Sequence, residues 1–317
     1  MTSLRAMDQG LLDRIEACGA RVHRGYPLSN WTTFRLGGPC PIAIDCTSAE
    51  VLASAWQLLH ENGIRSRLIG GGSNLLVSDA GVEEVVVRFV APGAVIEISD
   101  DLVTVCAGAG LDDLAARTVE AGLDGLVTCS GIPGTVGGAI AGNAGAFGRQ
   151  VGDVLVDVEA IDAEGKVSVW PAGALGLAYR RSDVEHHGLI LLRARFRLSK
   201  GDAVALAEQR ASILALRAEK HPDWRTVPTA GSFFKNIEPT SKADRRQAAG
   251  WYLEQAGAGA MREGGARTFE RHANIVIAET GATAAQVKRL TDRMAEAVRQ
   301  KFGLVLVREV KIIGPFA

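Results

Sequence analysis

The chain has 317 residues, a hydrophobic share of 47% and a formal net charge of -1. That length exceeds what a single core usually serves, so at least two domains are expected, and the near-neutral charge excludes general attraction to nucleic acid or acidic membranes. The five cysteines, at 18, 40, 46, 106 and 129, show no CxxC spacing, which argues against a zinc site or a disulfide framework and fits a reducing cytoplasm.

No basic cluster followed by an apolar run opens the chain, and no segment approaches the ~20 apolar residues of a membrane span. Neither a signal peptide nor a membrane partner is expected. Asn30-Trp31-Thr32 matches a glycosylation acceptor and is read as chance in the absence of a secretion signal.

Residues 1–28 read as a helical lead-in and a connector. Pro41 to Cys46 is a short apolar strand. Thr47 to Glu50 reads as a capping box that opens a helix, with Leu52, Ala55, Trp56 and Leu59 at helical spacing and Asn62-Gly63 ending it. Arg67 to Ile69 is the next strand, and it delivers the chain into Gly70-Gly71-Gly72-Ser73-Asn74. A glycine-rich turn after a strand is a phosphate cradle through clustered N–H groups. No GxxxxGK[ST] is present, and no helix follows, because Leu75 to Val77 continues as strand. A nucleotide-triphosphate hydrolase and a Rossmann dehydrogenase are therefore unsupported.

From 82 to 108 the pattern is β, with a hairpin around Asp100-Asp101. Leu111 to Ala121 reads as a helix stopped by Gly122. Then comes SGIPGTVGGAIAGNAGAFG, from Ser130 to Gly148, with no charged residue until Arg149. Interior glycines cost roughly 1 kcal/mol each against alanine in a helix, so this run is expected to be neither stable helix nor strand. It offers bare backbone that can approach a flat or anionic ligand. Ile132, Val136, Ile140 and Phe147 anchor it, which argues against a linker.

A second hairpin spans Val154–Asp162 and Lys166–Trp170, turning at Glu164-Gly165, and Leu189–Leu198 is a further strand. Composition shifts near Lys200-Gly201. Asp202 can cap a helix running to Lys220, and helices near Gln247–Ala256 and Thr283–Phe302 follow, the latter opened by a capping box from Thr283 to Gln286. Asn274–Ala278 and Leu304–Ile313 read as strands. Frequent hairpins mixed with helices predict an α+β fold.

Separated motifs then agree. NWTTFRLGG (30–38), LIGGGSNLLV (68–77), the run 130–148, AYRRSD (178–183), AGSFFKN (230–236), ERHANIVI (270–277) and VREVKIIG (307–314) resemble, in order and over nearly the whole chain, those of bacterial UDP-N-acetylenolpyruvoylglucosamine reductases, the MurB family. The resemblance implies noncovalent FAD, NADPH as co-substrate, and reduction of the enolpyruvyl ether of UDP-N-acetylglucosamine enolpyruvate to UDP-N-acetylmuramate in peptidoglycan precursor synthesis. It implies a two-part FAD-binding domain of the vanillyl-alcohol-oxidase/PCMH type at 1–200, with parts at about 20–95 and 96–200. A smaller α/β substrate domain follows at 201–303, and a terminal strand at 304–317 returns to the active site. A cytoplasmic monomer without a metal is expected.

The resemblance assigns catalytic roles to Arg180, Ser232 and Glu309. Arg180 would hold the charge that grows on the substrate carboxylate, and Ser232 would protonate carbon. By residue type alone, a surface ion pair is the commoner fate of an arginine such as Arg180, and spacing alone favours an ordinary turn serine at Ser232. Glu309 in an otherwise apolar strand fits a site or a solvated edge. Cofactor contacts are expected at Gly70, Gly71, Gly72, Ser73, Asn74, Leu75, Gly131, Gly134, Thr135, Gly137, Gly138, Asn143 and Ala146. Substrate contacts are expected at Tyr179, Lys220, Asn236 and His272. Asn274 shares the His272 motif, with a structural role as the alternative.

There are departures from the family pattern. Ile237-Glu238 precede Pro239 where the family often has proline directly, and Ala256 to Ala260 replace a common Ala-Gly-Leu-Lys-Gly. Only a short connector fits between Arg180 and Leu189, and tyrosine occurs only at 26, 179 and 252. No tyrosine-bearing loop can be accommodated there, so the chain resembles the short, type II branch. Two other classes remain open: an oxygen-using flavin oxidase on the same fold, against which stands the lack of a tethering histidine or cysteine in the glycine loops, and a non-catalytic nucleotide-sugar binder, against which stands the presence of Arg180, Ser232 and Glu309 together.

Overall fold

A strand, a capped helix and a second strand begin the ordered core, and the alternation has local causes. Pro39–Cys46 carries five buried positions in succession at its end, as a strand covered on both faces requires. Helix Ala49–Glu61 buries Leu52, Ala55 and Leu59 along one stripe. Its N-cap is Ser48, whose side chain accepts from the Val51 N–H, not Thr47 as the sequence suggested. The two hydroxyls are adjacent, and the one whose backbone is extended just before the first helical turn takes the role. Ser66–Ile69 and Val85–Phe89 pair in parallel, as do Pro39–Cys46 and Val85–Phe89.

The computed structural model describes residues 7–238 and 246–316. Pro239 and the first six residues of the expected lead-in lie outside the described residues. The chain divides into two compact units that alternate along the sequence: residues 1–25, 41–71 and 84–216 form one, and residues 26–40, 72–83 and 217–317 form the other.

The first unit holds a four-stranded sheet in the order Arg21–Pro27, Pro39–Cys46, Val85–Phe89, Ser66–Ile69. It also holds a five-stranded antiparallel sheet in the order Val167–Pro171, Leu155–Ile161, Ile190–Arg197, Leu102–Cys106, Ile96–Ser99. Its core includes Leu12, Ile44, Leu52, Val103, Leu114, Ile140, Val158 and Phe196. Two arginine–carboxylate pairs lie across neighbouring strands. Arg88 donates twice to Asp45 at 2.8 Å, and Arg195 pairs with Asp157 in the same bidentate manner. Both aspartates are buried, and forked guanidinium donors satisfy them where one lysine could not.

The second unit is an antiparallel sheet in the order Thr229–Ser232, His272–Ala278, Ala266–Phe269, Arg262–Glu263. Helix Ala284–Phe302 buries Val287, Leu290, Met294 and Val298. Phe34, Leu76, Phe233, Phe234, Val276 and Leu290 belong to one core, so segments far apart in sequence share one apolar interior. The capping box from Thr283 to Gln286 is present with both reciprocal bonds.

Four expectations are corrected. The connector after the first helix, Gln9–Ala17, is instead the strand Arg21–Pro27. The terminal strand is only Lys311–Ile313, paired in parallel with Leu75–Val77. Strands at Thr229–Ser232, Ala266–Phe269 and Arg262–Glu263 carried no clear alternation and were not expected. The run 130–148 does contain a helix, Val136–Ala141. Thr135 caps it by accepting from Gly138 N–H, and Val136, Ala139 and Ile140 are buried. Burial of two branched side chains, roughly 1.5–3 kcal/mol each, offsets the cost of the glycines at 137 and 138. Gly137 is further required because its N–H meets Ala107 O at 2.7 Å and a Cβ would stand 3.1 Å from that oxygen.

Just before this run, Thr128 sits in the 3-10 turn Val127–Cys129 with its hydroxyl buried and without a partner among the described residues. A buried unsatisfied hydroxyl costs about 1–3 kcal/mol. Thr128→Val keeps the shape and removes it, so thermal unfolding of the variant is expected at a higher temperature, equivalent to roughly 1 kcal/mol. A lower unfolding temperature would show that the hydroxyl is bonded in solution.

Candidate functional site

In the first unit the two glycine loops touch backbone to backbone. A Cβ on Gly70 would collide with Thr135 Oγ1, and one on Gly71 would stand 3.0 Å from Gly134 Cα. Gly131 and Gly134 have φ of +73° and +111°, which side-chain-bearing residues rarely adopt. Several glycine N–H groups are used inside the protein. Gly131 donates to Asp112 at 2.8 Å, which also pairs with Arg210 at 2.6 Å. Gly137 donates to Ala107 O and Gly138 to Thr135 Oγ1. A Cβ would be crowded at Gly70, Gly71 and Gly137, and the run from Ser130 to Gly148 presents a surface poor in side chains. Such a surface, with no acidic residue from Ser130 to Gly148, suits a flat ring and a diphosphate.

Arg180 is fixed against this run. Ala178 to Arg181 form a tight turn closed by reciprocal backbone bonds of 3.0 and 3.1 Å, and Arg180 lies in it at φ +52°. A non-glycine residue there costs about 1–3 kcal/mol and persists only when its surroundings hold it. Three bonds do so. Asn143 Nδ2 donates to Ala178 O at 2.8 Å, Arg180 Nη2 to Gly145 O at 2.8 Å, and Ser182 Oγ to Ala141 O at 2.8 Å. Asn143 is itself buried at φ +42°, and its Oδ1 accepts from Gly152 N–H. The Tyr179 ring stands 5.8 Å from the Arg180 guanidinium carbon. Ala146 lies in the short hairpin Gly145–Ala146 with Arg149–Gln150.

Gly72, Ser73, Asn74 and Leu75 fall in the second unit. There Gly72 packs on Trp31, whose carbonyl a Cβ would strike. Asn74 Nδ2 donates to Glu309 O at 3.0 Å, and Lys311 N–H returns to Asn74 O at 3.0 Å. Glu309 N–H donates to Phe233 O at 2.8 Å. Ser232 immediately precedes Phe233, so Asn74, Ser232 and Glu309 are joined through the backbone. Asn236 Oδ1 accepts from Ala249 N–H at 3.1 Å and holds the start of helix Ala249–Gln255.

Lys220 ends helix Ala203–Lys220, which Asp202 caps through bonds to Val204 and Ala205 N–H. Arg271 donates to the Glu219 carbonyl at 2.6 Å, so the last turn is tied to the Phe269–His272 corner. There the His221 and His272 rings stand 5.6 Å apart. His272 Nδ1 accepts from Asn274 N–H at 3.2 Å. Burial pushes the His221 imidazole down to about 4, with His272, Arg217 and Lys220 adding repulsion. Burial and then Lys220 lower His272, opposed by a backbone hydrogen bond and by Glu254. His221 was not singled out in the sequence, where it reads only as a helix end before Pro222.

Among the described residues no cluster of His, Cys, Asp or Glu is placed for a metal, and no helix is long and apolar enough to cross a membrane. Residues 221–313 match the sequence model of the UDP-N-acetylenolpyruvoylglucosamine reductase C-terminal domain, and residues 41–169 match that of an FAD binding domain. The reductase of that name from Carboxydothermus hydrogenoformans is 36% identical over 294 residues, which is 92% of this chain and 94% of the relative. That from Heliobacterium modesticaldum is 37% identical over 91% of this chain and 89% of its own.

The chain belongs to the UDP-N-acetylenolpyruvoylglucosamine reductase family. The crystal structure of the reductase from Thermus caldophilus superposes with a TM-score of 0.74 at 29% identity, covering 93% of this chain and all of that one. The expectation of an α+β fold with an FAD-binding domain holds for this family member.

The depressed histidines carry a consequence for stability. Between pH 6.5 and about 4 the unfolded chain binds a proton at residue 221 that the folded chain refuses, so stability is full above this window and falls as pH drops through it. His221→Gln should make the unfolding temperature less sensitive to pH between 6.5 and 4. An unchanged slope would show that His221 is not the group responsible.

Proposed function

We propose that this chain is an NADPH-dependent flavoenzyme that reduces the enolpyruvyl ether of UDP-N-acetylglucosamine enolpyruvate to UDP-N-acetylmuramate, in peptidoglycan precursor synthesis. Family membership over nine-tenths of the chain supports the reaction class. The observation that carries the residue assignment is the backbone bond from Glu309 N–H to Phe233 O, which keeps a carboxylate residue beside the serine expected to act as acid.

FAD, when bound, would supply the hydride chemistry between NADPH and the substrate double bond. The peptide surface of Gly70–Gly71 and Gly131–Gly138 would hold it without a covalent link. Arg180, fixed by Asn143 and Gly145, answers the negative charge that grows on the substrate carboxylate as electrons move toward it. Ser232 delivers a proton to the carbon left electron-rich, and Glu309 sets the field around that hydroxyl. A lone alcohol is a weak acid, so its setting has to favour the transfer. Lys220 binds the nucleotide diphosphate, with Tyr179, Asn236 and His272 as further substrate contacts. Tyr179 stands beside Arg180 in its turn, and no tyrosine-bearing lid is available, in keeping with the short type II branch. A cytoplasmic monomer completes the reading.

Ser232→Ala should leave bleaching of the flavin by NADPH within about twofold of the parent rate and slow reoxidation by the UDP-sugar by at least the ~10²–10⁴-fold typical of a lost general acid. Ser232→Cys, which keeps an acidic proton, should recover part of the loss. Stopped-flow traces of each half-reaction measure both, and equal slowing of the two halves would assign Ser232 a structural role.

A further inference from the structure

Ser232 lies at an irregularity in its strand. Thr229 pairs with Ile277 and Ser232 with Ile275, with a register shift between them. Ala230 and Gly231 therefore face the single partner Val276. This is a β-bulge, with Gly231 at φ +73°. An extra residue turns every side chain beyond it to the other face of the strand. The bulge thus decides the face from which Ser232 projects.

A bulge also breaks the ladder. Here buried side chains complete it on both sides of the serine. Upstream, Thr229 Oγ1 accepts from Gly231 N–H at 3.1 Å and donates to Val276 O at 2.8 Å. Downstream, Asn274 Oδ1 accepts from Phe234 N–H at 2.9 Å, while Asn274 Nδ2 donates to Phe234 O at 2.8 Å. The Asn274 carbonyl also accepts from Phe233 N–H at 2.8 Å. Thr229 is 3% and Asn274 2% exposed, so neither bond set competes with water. Thr33 grips Thr229 in turn, accepting its N–H at 3.1 Å and donating to its carbonyl at 2.6 Å.

We propose that Thr229 and Asn274 are positioning residues for the reaction, completing the sheet on either side of the bulge so that the Ser232 hydroxyl is held in line for proton delivery. The proposal rests on the reading of Ser232 as the proton donor. A purely structural role would lower stability and affect both half-reactions alike. A positioning role acts on the half that needs the proton.

The test measures each half-reaction by stopped flow for the FAD-loaded protein. Thr229→Val keeps the shape and removes the hydroxyl. It should reduce flavin with NADPH within about twofold of the parent, yet reoxidise with the UDP-sugar about ten- to a hundredfold more slowly, the scale of a small misalignment. Thr229→Ser restores the hydroxyl and should restore the rate. Asn274→Leu, on the other side of the same serine, should behave as Thr229→Val does. Amide exchange in the 229–236 peptide should speed up in both slow variants. In the Ser232→Ala background, Thr229→Val should cause no additional slowing, because the two act through one group.

Parent-rate reoxidation in both Thr229→Val and Asn274→Leu, equal slowing of both half-reactions, or a full additive loss in the double variant would overturn the positioning role. If Ser232→Ala is slow while these variants are not, only this inference fails. If Ser232→Ala itself reoxidises normally, the assignment of the serine fails with it.

Discussion

Peptide packed directly on peptide is the constraint on which the first unit depends. Gly70 and Gly71 lie against Thr135 and Gly134, and Gly137 against Ala107; a Cβ would collide at Gly70 and be crowded at Gly71 and Gly137. Close approach fixes the relative position of two loops from different parts of the sequence without any salt bridge. It also explains how a sequence poor in helix formers holds the helix Val136–Ala141: burial and a threonine cap outweigh local propensity. The same rigidity supports the left-handed Arg180, since Asn143 and Gly145 grow out of that run and grip the arginine's turn.

The second unit solves a related problem with buried polar side chains around a single glycine, Gly231. Its sheet is interrupted where Ser232 stands, and the polar groups this exposes are taken up by Thr229 and Asn274 rather than water. Buried polar groups left unmatched are costly, so the interruption is tolerated only because those residues fit it. The charged corner nearby follows different physics. Arg271 ties the end of helix Ala203–Lys220 to the corner, and burial lowers the proton affinity of His221 and His272 in it.

Much of this was legible in the sequence, for identifiable reasons. Helix Ala284–Phe302 announced itself through its capping box, and the Leu155–Pro171 hairpin through Glu164-Gly165, because both signals are local. The glycine runs, AYRRSD and AGSFFKN stood out as ordered motifs resembling one family. What was not legible depended on partners distant in sequence. The bulge at Gly231 needs knowledge of its register against Val276. The cradle role of Thr229 needs Thr33, and that of Asn274 needs Phe234. Thr229–Ser232 did not read as a strand because it is short and nearly devoid of large side chains, and its pairing comes from His272–Ala278. The stretch from Leu304 read as one strand, yet continuous pairing is confined to Lys311–Ile313, with an isolated bridge between Arg308 and Phe234 before it.

The central claim is that electrons pass from NADPH through bound flavin to the enolpyruvyl UDP-sugar. The most direct measurement is the visible spectrum of the purified protein under anaerobic conditions. The account predicts a flavin band that NADPH bleaches and that one equivalent of the UDP-sugar restores without oxygen. A colourless protein, or a bleached band that oxygen restores and the UDP-sugar does not, would contradict it.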